Sequence, residues 1–135
     1  MDEKMIRILS EAALEVRSRA YAPYSGFCVG AALLCAGGRI YTGVNVENAS
    51  YPVGLCAERG AFASAVAAGE REFIAIAITG GKAGQDPERC MPCGMCRQFM
   101  AELCGDEFEV LTVYSPEKYE SITLGNLLPE CFRLK

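Results

Sequence analysis

Histidine is absent from this chain of 135 residues, and so is tryptophan. Without histidine there is no imidazole general base, no Cys-His dyad, no Ser-His-Asp triad and no His-containing metal site. Any transition-metal centre here must be built from thiolates and carboxylates. An excess of positive charge is also missing. Against 13 Lys and Arg stand 17 Asp and Glu, for a formal net charge of −4, and the basic residues lie singly among acids. A chain that holds a polynucleotide usually carries a basic stripe, so a small-molecule partner is expected, and no nucleic acid. No apolar run is long enough to span a bilayer. The opening MDEKMIRILSEAALEVRSR lacks the basic start, apolar run and small-residue cleavage site of a secretion signal. A cytoplasmic protein that engages no membrane is expected.

What is present describes an ordered globular chain: 51% hydrophobic and 22% charged residues. The length fits a single domain over residues 1–135. Met5, Ile8, Leu9, Ala12 and Val16 recur at helical spacing and predict an amphipathic helix over 3–19. Phe27 to Ala36 is a continuous apolar run, Gly37-Gly38 signals a hairpin, and Arg39 to Glu47 reads as the returning strand. A loop with Pro52 and Gly54 covers 48–55, and the alanine-rich segment from Cys56 to Ala68 is a second helix closed at Gly69. Phe73 to Thr79 is a buried strand that Gly80-Gly81 is expected to end, followed by a polar loop over 80–92. A third helix is expected over Gly94 to Leu103, strands over Phe108 to Tyr114 and Tyr119 to Leu124, and a stub of helix over 125–129. The fold class is α/β: three layers, α/β/α, around one mixed five-stranded sheet.

Eight cysteines stand at 28, 35, 56, 90, 93, 96, 104 and 131. A chain of this size needs no disulfide staples, and no export signal points to an oxidising compartment. The informative pair is Cys93 and Cys96 in MPCGMCRQ. Pro92 would set a helix start there, with both sulfurs facing one point and the helix's positive end favouring thiolate. Cys56 opens the other predicted helix in the same way. Three thiolates from two helix starts can hold zinc and leave a fourth corner for water, which is a catalytic arrangement. Glu58 cannot easily bind the same ion as Cys56, but it can reach that water. Zinc with three thiolates carries a net negative charge that opposes activation of its water. Arg59 is the side chain best placed to draw charge off the sulfurs, and Arg97 is expected to be exposed. Two other readings stay open on the residues alone. One is a structural site closed by Cys90 as fourth ligand, and the other a redox dithiol of Cys93 and Cys96 that needs neither zinc nor Cys56.

Cys56-Ala57-Glu58 followed by Pro92-Cys93-Gly94-Met95-Cys96-Arg97-Gln98 resembles the zinc nucleoside deaminases. With Tyr24-Ser25-Gly26-Phe27-Cys28-Val29-Gly30-Ala31-Ala32 and Gly43-Val44-Asn45-Val46-Glu47-Asn48-Ala49-Ser50-Tyr51-Pro52, the chain resembles more narrowly the small, homotetrameric cytidine deaminases that act on free nucleosides. The resemblance implies one zinc per subunit on Cys56, Cys93 and Cys96, with Glu58 as the catalytic proton carrier. It implies hydrolysis of cytidine and 2′-deoxycytidine to uridine and 2′-deoxyuridine, a step of pyrimidine salvage. Phe27 would pack on the pyrimidine, Asn45 and Glu47 would hold the ribose hydroxyls, and the backbone of Ala57 would read the ring edge. Tyr51 and Phe132, joined by Tyr24, would reach a neighbouring subunit's pocket, so that the active sites of a homotetramer are shared. Met91 and Met95 depart from the family's usual small residues at those positions.

Overall fold

In a computed structural model the described residues are 1–134, arranged in the order α1 (Glu3–Val16), β1 (Phe27–Cys35), β2 (Ile40–Val44), α2 (Ala57–Ala67), β3 (Phe73–Lys82), α3 (Gly94–Leu103), β4 (Glu109–Ser115), β5 (Lys118–Thr123) and α4 (Leu124–Leu127). The five strands form one sheet in the order β2-β1-β3-β4-β5. β1 is antiparallel to both its neighbours, β3 and β4 run parallel, and β5 returns antiparallel to β4. The expected mixed sheet is therefore present. Its two faces carry separate cores. α1 lays Leu9 and Ala13 on Ala32, Ala75, Ala77, Leu111 and Val113. On the opposite face Ala57, Ala61, Phe62 and Ala65 of α2 pack with Cys96 and Met100 of α3 over Leu33, Ile76, Ile78 and Val110. Strands covered on both sides read as unbroken apolar runs, which is why β1 and β3 lack alternation. Among the described residues no helix is long and apolar enough to cross a membrane.

The topology brings the cysteine segments together. β2 and β3 both run antiparallel to β1, hence parallel to each other. Each is followed by a helix on the same face of the sheet. The N-termini of α2 and α3 therefore emerge at one end of the sheet, beyond the carboxyl ends of the parallel strands, where α/β sheets place their sites.

Several boundaries differ from the sequence reading. α1 stops at Val16, and residues 17–19 tighten into a 3₁₀ turn. β2 ends at Val44 instead of Glu47: the Asn45 N–H still reaches the Val29 carbonyl at 3.4 Å, but the Asn45 side chain takes over the other bonds to β1. Its Oδ1 accepts from Val29 N at 2.8 Å, and its Nδ2 donates to the Phe27 carbonyl at 2.8 Å. Gly80 and Gly81 do not end β3; they pair with Val29 and Cys28, and the strand runs on to Lys82. They are glycine for a different reason. A Cβ on Gly80 would stand 2.7 Å from Cys90 Sγ and 2.9 Å from the Phe27 ring, and one on Gly81 would stand 2.9 Å from the Asp86 carbonyl. The Gly94–Leu103 helix is found with the boundaries expected of it.

Candidate metal centre

Cys56 and Cys93 are not in the first turns of their helices but are the N-cap residues of α2 and α3, both with extended backbone. Neither side chain caps its own helix, so each sulfur is left to another partner. Cys96 is the third residue of α3 and is fully buried. The three sulfurs converge: all lie within 4.8 Å of one another, with Cys56 and Cys93 3.9 Å apart. A disulfide would hold them at about 2.05 Å. Sulfurs at the corners of a tetrahedron around zinc, each about 2.3 Å from the ion, are about 3.8 Å apart. The observed spacing is that of a metal site, and among the described residues this is the one such cluster.

The electrostatics fit the same reading. Hydrogen bonding to the Cys96 sulfur, then to Arg59, holds the Cys56 thiol well below its ordinary value. Cys96 is pushed the other way, chiefly through the same contact with Cys56. The Arg59 guanidinium is held protonated first by Cys56 and then, beyond the opposing cost of burial, by Cys96. Its Nε is buried and has no hydrogen-bond partner among the described residues. A donor in that position is suited to sulfurs that carry negative charge.

Glu58, the second residue of α2, is 5% exposed. Burial, reinforced by the Cys56 charge, raises its carboxyl to about 7. A carboxyl poised there can both accept and donate a proton at neutral pH. Cys90 does not join the three sulfurs. It packs against Gly80 of β3 beside the Phe27 ring, and Thr112 Oγ1 binds its backbone at both N–H and carbonyl. Among the described residues no fourth ligand joins the three sulfurs, which speaks against the alternative of a structural site closed by Cys90.

Beside the metal cluster opens a cavity of about 530 Å³. Of the residues singled out from sequence, Asn45, Glu47, Tyr51, Cys56 and Arg59 line it, together with Tyr24. Phe27, Ala57, Glu58, Cys93 and Phe132 do not. Ala57 and Glu58 are buried, and Phe132 is 68% exposed near the C-terminus, its carbonyl held by Gln98 Nε2. Arg97, expected at the surface, is half-buried: its Nε donates to the Pro92 carbonyl at 2.7 Å and a terminal nitrogen to the Leu127 carbonyl at 2.8 Å. It steadies the segment that carries Cys93, a role that spacing alone did not reveal.

A sulfur-only centre with a poised carboxyl at the carboxyl end of a mixed sheet defines a class: a zinc enzyme that activates water on a small substrate. The family model for the cytidine and deoxycytidylate deaminase zinc-binding region matches residues 3–112. The chain is 42% identical over 132 residues to the cytidine deaminase of Halalkalibacterium halodurans, covering 98% of this chain and 95% of that one. It is similar to the crystal structure of cytidine deaminase from Burkholderia pseudomallei, with TM-score 0.82, 46% identity and coverage of 93% and 97%. It is also similar to that from Mycobacterium tuberculosis, with TM-score 0.80, 37% identity and coverage of 94% and 96%. The chain belongs to the cytidine and deoxycytidylate deaminase family.

Proposed function

We propose that this chain, a single domain over residues 1–135, catalyses the hydrolytic deamination of cytidine and 2′-deoxycytidine, yielding uridine and 2′-deoxyuridine and releasing ammonia. One observation carries the reading: three sulfurs from two helix starts converge beside a buried carboxyl raised to about 7. Cys56, Cys93 and Cys96 hold zinc, which when bound supplies a water acidic enough to attack at neutral pH. Arg59 and the N-termini of α2 and α3 draw negative charge from the sulfurs. Glu58 accepts the proton of the attacking water as its oxygen adds to carbon 4 of the cytosine ring. It delivers that proton to ring nitrogen 3, then takes the proton of the hydroxyl now on carbon 4 and passes it to the amine, which leaves as ammonia as the carbon 4 carbonyl forms. The Ala57 backbone reads the ring edge, and Phe27 packs on the ring face.

The sugar pocket follows from hydrogen-bond accounting. Asn45 spends Oδ1 on Val29 N and one Nδ2 hydrogen on the Phe27 carbonyl, which fixes the orientation of its amide. One donor hydrogen and one acceptor lone pair remain. The Glu47 carboxylate accepts from Tyr24 N at 2.9 Å, from Ser25 N at 3.1 Å and from the Ser25 hydroxyl. That leaves it room for about one more donor. A sugar hydroxyl both accepts and donates, so the 3′-hydroxyl answers Asn45 and Glu47 together. A pocket that reads the 3′ side accepts ribose and deoxyribose alike. Mixing the zinc-loaded protein with cytidine should give the ultraviolet change of conversion to uridine. No change with fully loaded protein would refute the assignment.

We read the working form as a cytoplasmic homotetramer with shared active sites. Tyr51 lines the cavity yet is 84% exposed, and Tyr24, Val53 and Phe132 are each more than 60% exposed. Apolar side chains of that size so bare support burial against further copies of the chain. Sedimentation should give a mass of four chains, and Tyr51→Ala should raise KM for cytidine several-fold. A monomer with full activity would end this part of the proposal.

A further inference from the structure

Glu47 does not orient itself. Its carboxylate is set by the two residues 24 and 25, across a loop from the strand that leads to it. Ser25 makes more of these contacts than any other residue. Its N–H donates to Glu47 Oε1, its hydroxyl donates to Glu47 Oε2, and the same hydroxyl oxygen accepts from Phe27 N at 2.9 Å. Because the hydroxyl accepts from an N–H, its own single hydrogen is free for the carboxylate. The Ser25 carbonyl in turn accepts from Lys82 Nζ at 3.0 Å, which ties the turn to the end of β3. These contacts hold Glu47 ionised, the Ser25 hydroxyl being the first cause and its N–H the second.

We propose that Ser25 is a positioning residue for sugar recognition: its hydroxyl presets the Glu47 carboxylate so that the remaining acceptor site faces one hydroxyl of the bound nucleoside. This rests on the reading that Glu47 holds the 3′-hydroxyl. The hydroxyl also joins Glu47 to Phe27, so one turn registers the residue that meets the sugar with the residue that meets the ring. Without it, Glu47 keeps two N–H partners on Oε1, but Oε2 is unrestrained, and the carboxylate must be ordered again at each binding event. Ser25 is exposed, so its truncation opens no core cavity.

The test compares cytidine with 3′-deoxycytidine in the zinc-loaded enzyme. Ser25→Ala should lower kcat/KM for cytidine on the order of tenfold, mostly through KM, as expected for loss of a charge-assisted hydrogen bond. It should change 3′-deoxycytidine by no more than about twofold, since that substrate has no 3′-hydroxyl to place. Ser25→Thr, which keeps the hydroxyl, should restore cytidine turnover. Glu47→Gln separates the two ideas. If it penalises cytidine and spares 3′-deoxycytidine while Ser25→Ala treats both alike, Ser25 does not position Glu47 and the inference fails alone. If Glu47→Gln also treats both alike, the sugar reading fails and the inference falls with it.

Discussion

Glu58→Gln should keep one zinc per chain and the wild-type melting temperature while losing about 10² to 10⁴ in kcat. The substitution is nearly isosteric in a position 5% exposed, so it leaves no cavity. The side chain is not one of the three converging sulfur ligands, so the metal's protein ligands are untouched. What disappears is a group that can take a proton at one moment and return it at the next. The carboxyl at about 7 does both near neutral pH, and an amide does neither. Metal analysis, thermal unfolding and the initial rate on cytidine check the three parts of the result. Wild-type turnover in the zinc-loaded variant would show that another group carries the proton.

Gly43→Ala should be among the most damaging single-methyl additions in the sheet. A Cβ there would stand 2.3 Å from the Ala57 carbonyl oxygen, 2.4 Å from Ala61 N and 3.0 Å from the Gly60 carbonyl carbon. All three are backbone atoms of the first turns of α2, so no rotamer change relieves the clash. The helix must move off β2, and it carries Cys56 and Glu58 with it. Overpacking of this kind costs about 1–3 kcal/mol, and here the displacement also enlarges the spacing between Cys56 and the two sulfurs of α3. The variant is expected to melt lower and to give up zinc to a chelator faster than wild type. Gly60→Ala is the comparison: its Cβ would meet nothing closer than the Leu55 side chain at 3.6 Å, and it should retain both properties more fully. Equal behaviour of the two variants would mean that contact at Gly43 does not set the helix position.

The metal centre was legible in the sequence because it depends on local signals. Each ligand segment announces a helix start, the absence of histidine forces a sulfur site, and a three-residue spacing puts Cys93 and Cys96 on one side of a turn. The order of elements then determines that two helices following parallel strands begin at one end of the sheet. Contacts between distant backbones left no such trace. Gly80-Gly81 looks like a terminator, because glycine chosen for close approach and glycine chosen for a turn are the same letter. Asn45 and Glu47 are expected within the returning strand. In the fold the Asn45 side chain binds the backbone of β1, and Glu47 is held by a turn more than 20 residues earlier. Arg97 looked like a surface arginine next to a motif, but its partners are carbonyls at Pro92 and Leu127. Polar side chains that bond to remote backbone have no periodicity to give them away.

The central claim concerns the coordination of one ion, and X-ray absorption at the zinc edge of the purified enzyme tests it most directly. The expected spectrum shows three sulfur scatterers at about 2.3 Å and a single oxygen at about 2.0 Å, with the oxygen lost or altered when a non-reactive nucleoside analogue is bound. Four sulfurs with no light scatterer would mean a closed structural site that brings Cys90 in, and would contradict the account.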